Sequence, residues 1–453
     1  MAKVKYHKGV LEDHAGSKQE IEFRPIDKSE PQWLYDLRRQ AWDYYRGASL
    51  PMRIVHLWKY TKPEWFLPED VEQQMNILPK RSEVGQDQIA PLKPGFAGFG
   101  CNHGNRVIYT QLAKELADTG VIFKDMSTAI DEHGELLQKY LGRLVGPDFG
   151  KFEALNLALF NHGMFLYVPP NLTIEEPIFV HRHPNKDYSF MRLLVVVGEN
   201  SQVTIVDEYA DRAGADRFKS SNVVELYADK SSRVRYLNPQ NLSGSVTSFL
   251  TQRARIEQEA QIWTIFASLG SEISKSNLGT ILNGRGASSQ MLGVAFADDR
   301  QHFDHHTRHQ HTAGESYSNI DFKIVLKDQA RSAYTGLIRI EEETTNCQAY
   351  QENRNLLLNP GASAESIPEL EILTDQVSCS HGATVGPLDS EMIFYLKSRG
   401  ISTADAVRMI VMGFVEPLLN LMPVDIRQFM ENLVRFKLEN RNIENMNLET
   451  IEK

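Results

Sequence analysis

The sequence predicts a mainly β protein whose strand-rich core lies between an α-rich N-terminal region and a helical C-terminal region. From Gly163 onward, short runs rich in β-branched and aromatic residues recur for about two hundred residues. Gly, Asn, Asp and Ser turn signals separate these runs, with no helix-length pattern between them. Before and after this stretch, the apolar residues follow the helical period instead.

The composition is that of an ordinary soluble protein. The chain has 453 residues, of which 42% are hydrophobic and 24% charged, and its formal net charge is −10. An acidic chain is a poor match for nucleic acid, because phosphate binding requires a basic face. No uncharged apolar run reaches the roughly 18 residues of a membrane span, so neither membrane insertion nor export is expected. Three cysteines, Cys101, Cys347 and Cys379, are too few for a disulfide framework and indicate a reducing compartment, the cytoplasm.

Three domains are expected. Residues 1–150 should form an α-rich domain, because apolar residues recur at helical intervals over residues 31–46 and again over 126–141. Residues 151–385 should form the strand-rich core, and residues 386–453 a small helical domain.

The core could be a β-sandwich or a solenoid, since both give turn signals at this spacing. Recurring phrases such as "GENSQVTIVDEY" (198–209) and "ADKSSRVRYLN" (228–238) favour a stacked parallel β-helix, although the chain has no strict repeat. In the C-terminal region, Asp389 can cap one helix, and Ser402 and Asp405 stand at capping-box spacing at the start of the next.

Five histidines crowd the stretch "QHFDHHTRHQHTAG" (301–314). On a strand, His302, Asp304 and His306 would face one way and the remaining histidines the other. The remaining histidines are His305, His309 and His311. Either row could hold zinc or iron with its neighbours. The alternative is that these imidazoles are hydrogen-bonded core or surface groups.

Cys379 and His381 form a second candidate site. With Ser380 between them, the thiol and the imidazole would share one face of a strand, about 7 Å apart. Both are good ligands for soft metals. The alternative is a buried free cysteine beside a structural histidine.

Motifs of common enzymes are absent. The nearest approach to a P-loop, "GSEISKS" from Gly270, lacks the second glycine, so the chain is not expected to bind nucleotide directly. It contains no G-x-S-x-G, H-E-x-x-H or C-x-x-C. We therefore expect a protein without its own catalytic motif.

Three stretches resemble the SufB/SufD family, the scaffold proteins of the SUF iron–sulfur cluster assembly system. They are "FEALNLALFNHGMFLYVPPNLTIEEPI" (152–178), "DHHTRHQHTAGESYSNIDFKIVLKDQARSAYTGLIRI" (304–340) and "CSHGATVGPLDSEMIFYLKSRGISTADAVRMIVMGF" (379–414). Within the family, the chain looks like SufD. SufB-type proteins carry a cysteine at the place of Asn353 and an acidic residue on each side of the histidine at 381, where this chain has Ser380 and Gly382.

The resemblance implies a right-handed parallel β-helix core that pairs with a SufB-like subunit. It also implies that the C-terminal helical domain docks a SufC-like ABC ATPase. That domain carries more apolar surface than one helix pair needs, which suits a helix-in-groove contact, although packing against the β-helix is the alternative. The candidate docking residues are Val407, Ile410, Val411, Phe414 and Leu418.

The supply of ligands is an independent reason to expect a partner. Iron–sulfur clusters are held by about four protein ligands, mostly thiolates, and this chain offers one credible Cys/His pair. We therefore expect His381, with Cys379 beside it, to face a SufB-like subunit at a transient, shared cluster site. A SufB-like homodimeric scaffold and a metal-dependent β-helix enzyme using residues 302–311 remain as alternatives. Open strand edges also make a homodimer of the isolated chain a reasonable expectation.

Overall fold

The computed structural model describes residues 23, 30–53, 56–71, 92, 95–103, 106–160, 162–184, 188–211, 217–422 and 424–439. These residues contain seven helices, and two short 3₁₀ turns, His56–Trp58 and Pro63–Phe66, follow the first of them. The helices are α1 (Gln32–Gly47), α2 (Lys114–Ala117), α3 (Met126–Tyr140), α4 (Lys151–Leu159), α5 (Ser390–Ser398), α6 (Thr403–Leu419) and α7 (Val424–Leu438). None of them is both long and apolar enough to span a bilayer.

The strands dominate the described part of the chain. The first nine are β1 (Gly98–His103), β2 (Arg106–Leu112), β3 (Ile122–Asp125), β4 (His162–Val168), β5 (Ile178–His183), β6 (Ser189–Val197), β7 (Gln202–Ala210), β8 (Phe218–Ala228) and β9 (Arg233–Asn241). The next five are β10 (Val246–Ile256), β11 (Gln261–Ser268), β12 (Ile273–Leu282), β13 (Ser288–Ala297) and β14 (His302–His311). The last five are β15 (Tyr317–Leu326), β16 (Arg331–Ile340), β17 (Cys347–Leu357), β18 (Ser363–Ile372) and β19 (Val377–Pro387).

From β4 onward, the chain alternates between two parallel sheets. Sheet A has the order β19-β17-β15-β13-β11-β9-β7-β5-β1-β2, and sheet B has the order β18-β16-β14-β12-β10-β8-β6-β4-β3. Successive strands therefore lie in opposite sheets, and each strand pairs with the strand two places further along the chain. The described strands β4 to β19 thus form a β-solenoid of eight coils with two strands each, which confirms the predicted mainly β fold with a stacked β-helix core and flanking helices.

The two ends of the solenoid differ. At the first end, antiparallel strands complete the sheets, because β2 pairs with β1 and β3 pairs with β4. At the last end, β18 and β19 each have one neighbour, and no described strand pairs with their outer edges. Strands β2 and β3 are likewise paired on one side only. The two ends differ because the first finishes in antiparallel strands, a cap in this sense, whereas the last, called the open end below, finishes in strands of the parallel coil itself.

The turns stack from coil to coil through residues with left-handed backbone. Asn171, Asn200, Ser231 and Glu259 have φ values of 62°, 56°, 56° and 57°. Each donates its backbone N–H to a carbonyl in the turn of the next coil; Asn200 N, for example, lies 2.9 Å from Lys230 O. Because Asn, Ser and Glu all fill the same place, the structural repeat leaves no strict repeat in the sequence.

The helices cover the outer faces of the sheets. Leu34 and Trp42 of α1, with Leu155 of α4, pack against the outer side of β4 and β6. Val411 and Val415 of α6, with residues of α7, pack against the outer side of sheet A. Between the sheets, a single apolar cluster runs from the first coils to β17.

Several predicted details are confirmed. The helix expected over residues 31–46 is α1. Asp389 caps α5 by accepting from the backbone N–H groups of Glu391 and Met392. Ser402 caps α6 by accepting from the backbone N–H of Asp405 at 3.1 Å.

The expected divisions at residues 150 and 385 stay predictions. Three strands that precede residue 150, β1 to β3, extend the two sheets. Helix α4, which follows residue 150, packs with α1. The N-terminal part of the chain therefore contributes to the solenoid as well as covering it.

Candidate functional site

Cys379 and His381 lie in β19, at the open end of the solenoid. In the parallel ladder, Cys379 is opposite Ala349 and His381 is opposite Gln351. Ala349 belongs to the apolar cluster between the sheets, and Cys379 packs against that same cluster. Since side chains alternate along a strand, His381 shares this inner face. The thiol and the imidazole thus share one face, as expected, and that face is the inner wall of the last coil.

The two side chains differ in exposure. Cys379 is half-buried and His381 is exposed. Burial raises the pKa of the Cys379 thiol, and a neighbouring charge on Cys347 would raise it further. The thiol is therefore protonated near neutral pH, and a metal ion would have to displace its proton.

Asn353 occupies the inner face of β17, one strand from β19, and is fully buried. Its amide nitrogen donates to Phe322 O at 3.3 Å, and its amide oxygen accepts from Ser366 Oγ at 2.7 Å and from Asn355 Nδ2 at 2.7 Å. Through these hydrogen bonds, Asn353 links the two sheets near the end of the solenoid. It supplies no soft donor to the site.

The other two cysteines lie at different distances from the site. Cys347 begins β17, opposite Val377, with its Sγ 3.2 Å from Ser316 Oγ, and it is buried. Cys101 lies in β1, eight strand spacings from β19 in sheet A, which amounts to about 38 Å. Folding therefore brings Cys347, but not Cys101, to the coil next to the candidate site.

The histidine-rich stretch forms β14, and its side chains alternate between the two faces as expected. His305, His309 and His311 face the interior. His309 Nε2 lies 2.9 Å from Ser289 Oγ, and His311 is held between Ser316 and Ser318. Burial lowers the pKa of His305 to about 4, that of His309 to about 3 and that of His311 to about 4. These imidazoles are neutral core groups near pH 7.

The outer row of β14, which contains His302, Asp304 and His306, lies beneath an N-terminal segment, residues 56–66. Asp304 lies 2.8 Å from Lys275 Nζ and 2.7 Å from His306 Nε2, and it also accepts from Thr61. Burial alone would raise the pKa of Asp304, but Lys275 and His306 hold it well below its usual range. Within the described residues, no three His, Cys, Asp or Glu side chains are placed to hold a metal ion. The outer row therefore ties the N-terminal segment to sheet B.

The five candidate docking residues of α6 divide into two groups. Val411 and Leu418 are fully buried against sheet A, because α6 lies flat on that sheet. Val407, Ile410 and Phe414 are half-buried. Packing on the solenoid thus accounts for Val411 and Leu418. Val407, Ile410 and Phe414 keep exposed surface that a partner can contact.

An apolar surface that the sequence pattern does not predict surrounds the open end of the solenoid. Ile372, Leu373 and Val385 are 37%, 41% and 46% exposed around the open end. On the nearby helices α5 and α6, exposed apolar residues include Met392, Phe394, Tyr395 and Met409. The signal in the sequence was that the strand pattern stops at Pro387 without a capping strand.

Comparison with known proteins identifies the family. The family model described as "SUF system FeS cluster assembly, SufBD core domain" matches residues 179–414 of this chain. The family model described as "SufBD protein N-terminal region" matches residues 20–180. An iron-sulfur cluster assembly SufBD family protein of Staphylococcus aureus (strain USA300) is 29% identical over 425 residues, covering 91% of this chain and 90% of the relative. A SufBD family protein of Staphylococcus saprophyticus is 28% identical over the same length. Since the core-domain match alone covers more than half of the chain, the protein belongs to the SufBD family of the SUF iron–sulfur cluster assembly system.

Proposed function

We propose that the protein is the SufD-like subunit of a SUF assembly scaffold. It pairs with a SufB-like subunit through the open end of its solenoid and binds a SufC-like ABC ATPase through its C-terminal helices. A nascent iron–sulfur cluster forms at the subunit interface, with His381 as a donor from this chain and Cys379 beside it. The protein works in the cytoplasm as an assembly scaffold, and the ATPase supplies nucleotide turnover.

The observation that carries this proposal is an incomplete set of donors at an open end. Cys379 and His381 share the inner face of the final strand. A cluster needs about four protein ligands, and the corresponding place on β17 holds a hydrogen-bonded amide, Asn353. A second chain that continues the solenoid beyond β18 and β19 could bring the missing thiolate and carboxylates to this face.

The open end also has the properties of a pairing surface. The outer edges of β18 and β19 present backbone donors and acceptors that a strand of a partner can satisfy. Around them lie Ile372, Leu373 and Val385, which are all more than a third exposed. Burying such apolar groups against a partner is favourable by about 25 cal/mol per Å².

The docking site for the ATPase is assigned to α5 and α6. Phe394 and Tyr395 are 74% and 55% exposed, and Met409 is 52% exposed. The half-buried residues Val407, Ile410 and Phe414 lie on the same pair of helices. Apolar surface grouped in this way is typical of a protein contact.

The proposal is tested by replacing His381 in the assembled complex. The chain is co-expressed with a SufB-like and a SufC-like subunit, the complex is purified, and the cluster is reconstituted without oxygen. His381→Ala should leave the complex intact, because the side chain is exposed, and should lower bound iron and acid-labile sulfide several-fold. His133→Ala, which removes a partly exposed histidine from α3, is the matched control. Equal cluster content in His381→Ala and in His133→Ala would contradict the assignment.

A second candidate is a homodimeric scaffold. Two copies paired at their open ends would bring together two Cys379 and two His381 side chains, a set of four donors. The buried amide of Asn353 weighs against it, since this route lacks the cysteine that SufB-type proteins carry there. Reconstitution of the isolated dimer separates the candidates, because only a homodimeric scaffold would form a cluster without a partner.

A further inference from the structure

A second group of metal-ligating residues lies on the outer face of sheet A, near the capped end of the solenoid. Cys101 and His103 are in β1, His181 and His183 are in β5, and Glu208 is in β7. Strand β5 is seven strand spacings from β19, or about 34 Å. This group is therefore separate from the site of the proposed function.

The register of three neighbouring parallel strands brings these residues together. Cys101 is directly opposite His181, and His103 is directly opposite His183. On the other side of β5, His181 is opposite Glu208. Directly opposite residues on parallel neighbours lie about 4.8 Å apart and point the same way. Five side chains that can bind metal thus occupy two adjacent rows on one face.

The distances between the rings suit shared coordination. The ring centroids of His103 and His183 are 5.0 Å apart, and those of His181 and His183 are 6.0 Å apart. Two imidazoles bound tetrahedrally to one zinc ion, with Zn–N distances of about 2.1 Å, place their centroids about 5 Å apart. His183 is therefore within reach of a metal ion shared with either neighbour.

Glu208 prepares His181 for such a role. Its carboxylate lies 2.8 Å from His181 Nδ1, and its side chain is only 7% exposed. A carboxylate that accepts from one ring nitrogen fixes the tautomer and leaves the other nitrogen, Nε2, to bind a metal. The His181 side chain is 21% exposed and His103 is exposed, so solvent can reach the group.

We propose that His103, His181 and His183 bind a divalent transition-metal ion of the zinc or ferrous type, with Cys101 as a fourth donor. Imidazole and thiolate are the ligands that such ions prefer. As the described side chains stand, no three of these residue types are arranged to hold a metal ion. The proposed site therefore requires side chains to rotate on binding, and His103 is exposed and free of the sheet interior. This site goes beyond the proposed scaffold function.

Titration of the full chain with Co²⁺ tests this site. The background variant is Cys379→Ser/His381→Ala, which removes the donors at the open end. This background should bind one Co²⁺ that is lost when His103→Ala and His183→Ala are added, whereas His133→Ala should keep it. Far-ultraviolet circular dichroism and the melting temperature establish that each variant is folded. If the variant lacking His103 and His183 bound as much Co²⁺ as the background, the site would be excluded.

The thiol is tested by the absorption spectrum of the Co²⁺-bound protein. Coordination by Cys101 should give a thiolate-to-cobalt charge-transfer band that disappears in Cys101→Ser, while the imidazole-dependent binding remains. A spectrum without such a band, or with a band that persists in Cys101→Ser, would contradict the role of the thiol.

Discussion

Several buried polar residues of this protein have structural roles that their residue types alone do not indicate. Asn353 is fully buried and joins β15, β17 and β18 through its amide. The histidines of β14 also have local roles: His309 and His311 lie within hydrogen-bond distance of serine hydroxyls in the interior, and His306 Nε2 lies 2.7 Å from the buried carboxylate of Asp304. A dense run of potential ligands is thus divided among several packing tasks.

The ion pair of Lys275 and Asp304 should be essential for stability. Both side chains are 2% exposed, and Lys275 also donates to Leu57 O and lies 4.7 Å from the ring centroid of Trp58. Lys275→Ala leaves a buried carboxylate without its main counter-charge, so we expect a loss of about 3–5 kcal/mol in the free energy of unfolding. Urea denaturation measures this loss.

The control for that change is Arg285→Ala. Arg285 pairs with Glu315 on the surface, where their side chains are 71% and 46% exposed. Solvent screens this pair, so its removal should leave the urea midpoint nearly unchanged. Equal effects of the two substitutions would show that burial of the Lys275 pair does not matter.

His305 should make stability depend on pH. Both ring nitrogens lack a hydrogen-bond partner among the described residues, and the ring packs against Phe266, Phe303 and Phe322. Burial lowers its pKa to about 4 from 6.5. Between these pH values the unfolded chain takes up a proton that the folded chain does not, so stability falls as pH falls below 6.5.

His305→Phe removes this linked proton. The free energy of unfolding of the variant minus that of the wild type should therefore be about 2 kcal/mol more favourable to the variant at pH 5 than at pH 8. Urea denaturation of the variant and the wild type at both pH values gives this comparison. A His305→Phe effect that is independent of pH would mean that the imidazole titrates normally in the folded state.

At the scale of elements, the strand runs and helix caps could be predicted, whereas the stacking could not. Local signals are enough for α1, whose apolar residues recur at helical spacing. They are also enough for α5 and α6, because Asp389 and Ser402 cap these helices through their own side chains. The stacking depends on turn residues that share a left-handed backbone conformation but not a residue type. Asn200, Ser231 and Glu259 all adopt this conformation in successive turns, although their side chains differ. The flat packing of α6, which buries Val411 and Leu418, depends on the outer face of sheet A.

The open edge formed by β18 and β19 should be the element that determines pairing. Val385→Lys places a charge where the partner would bury an apolar group, so we expect association with the SufB-like subunit to weaken about tenfold or more. Val385 is 46% exposed, so the melting temperature of the isolated chain should change little. Biolayer interferometry measures the affinity.

The matched control is Met52→Lys, which adds the same charge at a residue that is 36% exposed in the N-terminal region. It should leave the affinity for the SufB-like subunit unchanged. If Val385→Lys also bound the partner with wild-type affinity, pairing through the open end would be wrong.

At the scale of the whole molecule, the site could be located from the sequence only as far as a pair of residues on one strand. Cys379 and His381 share a face because they are two residues apart, which the spacing alone predicts. That this face is the inner wall of an uncapped last coil follows from the stacking of β17 on β19, a long-range contact. The distance between Cys101 and β19, about 38 Å, likewise follows from the order of strands in sheet A.

The central claim is that this chain holds part of a cluster site and needs a second chain to complete it. The most direct measurement is the amount of iron and acid-labile sulfide bound after anaerobic reconstitution of the isolated chain at monomeric concentration, compared with the complex that includes the SufB-like subunit. We predict stable cluster in the complex and none in the isolated monomer. A complete, stable cluster in the monomer would contradict the account.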